Sequence, residues 1–140
     1  METVPYRFID HTADIGIEVS GRTVQELFSN ALRGFTDLLT EVTAVRGIEE
    51  RHITVKAEDQ NELLIAWLSE LLYFYDTEQK LFSESSIHKL TETELTATVK
   101  GEVRDPQRHP IRREVKAVTY HNIRIRQEEG RWKATIIFDI

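Results

Sequence analysis

The sequence predicts an α+β protein: two helices packed on a mostly antiparallel or mixed multi-stranded sheet, as a single domain over residues 1–140. Three observations predict it. Both stretches with helical spacing of apolar residues lie in the first half of the chain. About six to eight stretches elsewhere alternate apolar and polar residues with the period of two of a half-buried strand. The later strands follow one another through short connections, which favours antiparallel neighbours over a doubly wound parallel sheet.

Tyr6 to Ile9 and Ile15 to Ser20 read as short strands on either side of an acidic stretch; in the second, Ile15, Ile17 and Val19 alternate with Gly16, Glu18 and Ser20. Gly16 leaves room for a backbone or ligand to approach. Thr23 followed by Glu26 has the form of a capping box. Leu27, Phe28, Ala31, Leu32, Phe35, Leu38 and Leu39 then form one buried stripe, which predicts a helix from Val24 to Leu39. Arg51 to Ala57 alternates again, with Ile53, Val55 and Ala57 inward. Asp59 and Glu62 open a second helix, so apolar from Leu63 to Tyr75 that it belongs in the core, and Trp67, Phe74 and Tyr75 are read as packing residues. Leu81 to Leu90 and Glu94 to Val103 pair around Thr91-Glu92, and Pro106 and Pro110 mark a polar loop from Asp105 to Arg113. Val115 to Tyr120 and Asn122 to Gln127 read as strands, with a hairpin at Glu128 to Arg131 before a last strand from Trp132 to Asp139. In that strand Trp132, Ala134, Ile136 and Phe138 share one face, so Asp139 points away from the side that buries Phe138. One extended sheet is expected to carry both helices.

A chain of this length buries an ordinary core without staples. It has no cysteine, which excludes disulfides, cysteine-zinc sites and a thiol nucleophile. No apolar run approaches the ~20 residues of a membrane helix, and the N-terminus lacks the basic start and apolar core of a signal peptide, so a cytoplasmic location is expected. The net charge of −6 is unevenly spread: between Arg104 and Lys133 nine Lys/Arg against four Asp/Glu leave +5, and the remainder carries −11. Net acidity argues against wholesale nucleic-acid binding. A basic face on an acidic body still suits a phosphate or an acidic partner, or is simply a solvated surface.

Three constellations carry chemistry. In the first, Asp10, His11 and Asp14 lie within five residues, and Asp139 stands beside the terminal carboxylate of Ile140. Brought together, such oxygens suit calcium, magnesium or manganese; alternatively Asp10 or Asp14 caps a turn and the chain end frays. In the second, Lys116, Val118 and Tyr120 share a strand face with His121 at its end, a weak anion-contact or base signal that an ordinary strand also explains. The third, Ser83, Ser85, Ser86 and His88, lacks the GxSxG elbow of a serine nucleophile. Neither phosphate-binding glycine motif, GxxxxGK[ST] or GxGxxG, occurs.

Residues 10–17 (Asp-His-Thr-Ala-Asp-Ile-Gly-Ile), Leu63 to Tyr73, Lys116 to His121 and the terminal Phe138-Asp139-Ile140, in that order and over nearly the whole chain, resemble the archease family. The family's opening motif commonly has Glu where this chain has Asp10. The resemblance implies an activator, not an enzyme: archeases assist RtcB-type RNA ligases, promoting GTP-dependent guanylylation of the ligase for repeated turnover in tRNA splicing and RNA repair. It also implies a divalent cation, calcium first with magnesium or manganese as alternatives, on Asp14, Asp139 and Ile140, and a role in activation for Lys116. Asp10 and His11 are then expected to shape the loop. The implied partner is the ligase, with RNA contacted through it and no membrane. Two rivals are a stand-alone metal-dependent hydrolase or nucleotidyl transferase, and an RNA-binding or chaperone module using the basic segment with Tyr120 and Trp132 as stacking aromatics.

Overall fold

The computed structural model describes residues 5–10, 14–121 and 123–140. Its order is β1 (Tyr6–Asp10), β2 (Asp14–Gly21), α1 (Val24–Leu39), a 3-10 turn at Val42–Ala44, β3 (Glu49–Lys56), α2 (Gln60–Glu78), β4 (Lys80–Leu90), β5 (Glu94–Val103), β6 (Ala117–Val118), β7 (Arg126–Glu128) and β8 (Arg131–Asp139). The class is α+β with two helices, as the spacing predicts. The strands, however, divide into two antiparallel sheets. One has the order β1-β2-β8-β6, with β7 also on β8; the other has the order β3-β5-β4.

Both helices start where their caps are. Thr23 Oγ1 accepts the Glu26 N–H at 3.0 Å, and the Glu26 carboxylate accepts the Arg22 N–H at 3.1 Å. Asp59 Oδ1 accepts the Glu62 N–H at 2.8 Å in the same way. α2 ends at Gln79, whose φ of 55° is the left-handed cap that closes helices. α1 packs on both β2 and β4 and so spans the two sheets, while α2 lies against β3, β4, β5 and β6. One continuous core results, from Ile15, Ile17 and Val19 through Trp67 to Phe138. Trp67 is fully buried and donates Nε1–H to the Phe28 carbonyl at 2.9 Å, tying α2 to α1. It is a packing residue, as its helical spacing suggests.

The largest departure lies between Val115 and Gln127, where two full strands are expected. β6 keeps two residues, opposite Phe138 and Asp139, and β7 three, opposite Arg131 to Lys133. Both follow the same edge of β8, one at each end. Ahead of β7 the Ile125 N–H is taken by Asn61 Oδ1 of α2 at 2.8 Å. A side chain from the helix thus competes with the sheet for the donor a longer strand requires. The Glu129-Gly130 turn has positive φ at both residues, 55° and 75°, the geometry of a two-residue hairpin matched to strand twist.

Candidate functional site

β2 lies between β1 and β8 with an unbroken register from Asp14↔Asp139 to Gly21↔Trp132. Because Ile15↔Phe138 and Ile17↔Ile136 bury toward the helices, the alternate row places Asp14 and Asp139 on the outward face. Directly opposed residues of an antiparallel pair have Cβ atoms about 4.5–5.5 Å apart, and like charges in that relation repel. Register therefore brings these two carboxylates together. Asp139 is exposed, whereas Asp14 is half-buried with its Oδ1 enclosed from solvent.

The next row of that face is apolar. The position a Gly16 Cβ would take lies 3.1 Å from Ile137 Cδ1 and 3.5 Å from Ile9 Cβ. Gly16 therefore admits the Ile137 side chain, and a larger residue there would press on its Cδ1. On the other edge of β8, Ala117 stands opposite Asp139. The Lys116 N–H donates to the Asp139 carbonyl at 2.8 Å, and the Thr119 N–H to that of Ile137 at 2.9 Å. Asp139 is thereby held from both sides, by β2 and by the Lys116 segment.

Lys116 lines a cleft of about 490 Å³ with Tyr75, Asp76, Arg104, Arg113 and Glu114. Burial pushes the Asp76 carboxyl above its ordinary value, and the nearby Glu114 charge pushes it the same way. Burial likewise raises the Tyr75 phenol, with Arg104 opposing. This mixed-charge cleft is not visible as a motif.

The other sequence candidates separate from this pair. Asp10 stands opposite Ile15, on the alternate row; its side chain is 86% exposed, with an Arg113 nitrogen 4.0 Å away. His11 lies outside the described residues. His121 is exposed on the turn after β6, and Tyr120, also exposed, lines a shallow hollow with Lys56, Glu58 and Glu62 of α2. Ser85 bonds Ser29 and His88 bonds Thr98, so the serine group forms no nucleophile set. Among the described residues no three His, Cys, Asp or Glu side chains assemble a metal-holding group. The Asp14–Asp139 pair would need oxygens from elsewhere, Ile140 included. Five of the nine Lys/Arg in the basic segment make ion pairs within the chain: Arg108 with Glu102 and Asp105, Arg112 with Asp37, Arg113 with Asp10, and Arg126 and Lys133 with Glu128. No helix among the described residues is long and apolar enough to cross a membrane.

Known proteins resemble this chain from end to end. The chain is 39% identical over 139 residues to the archease of Methanothermobacter thermautotrophicus, covering 96% of this chain and 98% of that protein. It superposes on the solution structure of Methanobacterium thermoautotrophicum protein 1598 with a TM-score of 0.81 at 37% identity, covering 97% of this chain and 99% of that one. The crystal structure of an archease from Thermotoga maritima, described as a possible chaperone, shares the fold at a TM-score of 0.63 and 21% identity, covering 100% and 98% of the two chains. With the model of the Archease protein family matching residues 6–140, the chain belongs to the archease family.

Proposed function

We propose that this protein is an activator, not an enzyme, which promotes GTP-dependent guanylylation of an RtcB-type RNA ligase and keeps it turning over in tRNA splicing and RNA repair. The observation that carries the reading is the register setting Asp14 opposite Asp139, with Lys116 fastened to the Asp139 main chain.

The donor set fits a hard divalent cation, because two carboxylates repel in direct opposition unless positive charge lies between them. Asp14, Asp139 and an oxygen of Ile140 would hold the ion, calcium first, with magnesium or manganese as alternatives. When bound, it supplies positive charge against the phosphates of the nucleotide. This chain's own part is positional. β2 and β8 keep both carboxylates at one strand end, and the Lys116 segment braces Asp139 from the other side. Calcium takes about 6–8 oxygens, far more than two aspartates supply, so the arrangement leaves positions for oxygens of the ligase. Lys116, from its cleft, complements phosphate charge or a ligase carboxylate. RNA is contacted through the ligase, since the arginines and lysines of the basic segment are mostly paired within the chain. The protein then works in the cytoplasm beside its ligase.

The test is transfer of labelled GMP from GTP to a purified RtcB-type ligase, with and without this protein, over many ligation cycles. Sustained guanylylation only with the protein present is the expected result. Equal guanylylation in both arms, or GTP turnover by this protein alone, would overturn the proposal.

A further inference from the structure

We propose that His52 and His88, bridged by Thr98, form a binding site for one borderline transition-metal ion, such as zinc(II) or copper(II), on the outer face of the β3-β5-β4 sheet. The site is separate from the carboxylate pair and stands independently of the ligase reading.

The three residues come from three strands. His52 of β3 is directly opposite Thr98 of β5, on the face turned away from Ile53, Ala97 and Val99. β4 brings the third through a bulge: its register runs from Ile87↔Ala97 to Lys89↔Thr96, leaving His88 as the inserted residue. A bulge re-aims a side chain at the cost of a ladder position, and here it aims His88 across β5. His88 Nε2 lies 2.8 Å from Thr98 Oγ1, and His52 Nδ1 lies 2.9 Å from the same oxygen. Thr98 is 8% exposed, so its hydroxyl is fixed against the sheet while both imidazoles stand in solvent.

Two ring nitrogens converging on one atom from opposite strands are the geometry of a two-imidazole chelate with a hydroxyl in the gap. A hydroxyl has one proton, so it donates to one ring and accepts N–H from the other. Binding requires this second ring to move its proton to its other nitrogen and the Thr98 hydroxyl to give up its hydrogen bonds to both rings, which leaves both lone pairs for the ion. Neutral imidazole suits zinc, copper and nickel, whereas the hard ions proposed for Asp14 and Asp139 prefer oxygen. The flanking rows do not block an ion. Lys100 is drawn to Glu50 at 3.6 Å and Lys89 to Glu94 at 2.5 Å, and Glu84 lies opposite Lys100 on the same face. No third His, Cys, Asp or Glu completes a ligand group among the described residues, so water fills the remaining positions.

The other described histidines do not compete on equal terms. His109 is fully buried, with Nδ1 accepting from the Asp105 N–H and Nε2 directed at Ala44 and Glu102 oxygens. His121 lies alone on an exposed turn.

The test is calorimetric titration of zinc(II) into the chelator-stripped full chain, with ring-nitrogen NMR to locate the ion. One ion per chain is expected, moving the His52 and His88 ring signals. His52→Ala and His88→Ala should each weaken binding about tenfold or more, since loss of even an outer-shell partner costs about 10–100-fold. Both residues are exposed, so both variants should fold, and His121→Ala should leave zinc affinity unchanged. Absence of binding, full affinity in either histidine variant, or signals moving only at other histidines would overturn the proposal.

Discussion

Glu102 and Asp139 are both carboxylates near the end of a β-strand, and the chain treats them in opposite ways. The Glu102 side chain is 3% exposed and surrounded by the protein's own donors. Arg108 reaches it through two nitrogens at 3.1 and 2.8 Å, the Arg46 N–H at 2.7 Å and His109 Nε2 at 3.0 Å. The Arg108 hydrogen bond, outweighing burial, holds its carboxyl down at about 2. Asp139 is exposed at the end of β8, and register sets another carboxylate directly across from it. The first arrangement is closed and pins the loop after β5. The second leaves Asp139 open to solvent, with Asp14 half-buried across from it. Buried charge with its own counterions marks structure; the opposed pair at the strand end is where the proposed cation would bind.

The contrast breaks most visibly at Glu102. Glu102→Gln should cost about 1–3 kcal/mol in urea unfolding, because the buried His109 and the Arg46 N–H lose a charged acceptor. Its pH signature follows from the same group. Folded Glu102 titrates at about 2 against a usual 4.5, so its stabilisation is complete above that usual value and lost as pH falls through the folded one. Wild type and Glu102→Gln should therefore converge in stability near pH 2. The carboxylate pair should instead respond to metal. Saturating calcium at about a hundred times its Kd should stabilise the wild type by about 2.7 kcal/mol, read as a rise in Tm, and Asp139→Asn should abolish the rise. The smallest effect sharpens the comparison furthest. In chelator, Asp139→Asn should shift stability by no more than about 1 kcal/mol, whereas Glu102→Gln lowers it by more.

Much of this was legible in the residues. Thr23 with Glu26 and Asp59 with Glu62 marked both helix starts because capping is local chemistry. Alternation along Trp132 to Asp139 put Asp139 on the face away from Phe138 for the same reason. Register is not local. Nothing in Asp14 or Asp139 alone says that they stand opposite each other, and it was the likeness of four ordered motifs to a known family that paired them. The division into two sheets and the shortening of β6 and β7 depend on tertiary competition, as when Asn61 takes the Ile125 N–H. The Glu102 network escaped for a similar reason: its donors come from Arg46, Arg108 and His109, which only the fold assembles. The bulge at His88 has no signature in a run of alternating polar residues.

The most direct measurement of the central claim is guanylylation of an RtcB-type ligase by GTP in the presence of Asp139→Asn protein, with its fold verified by NMR. Guanylylation falling to the level seen with no activator is the predicted result. Full stimulation by that protein would contradict the role assigned to the Asp14–Asp139 pair.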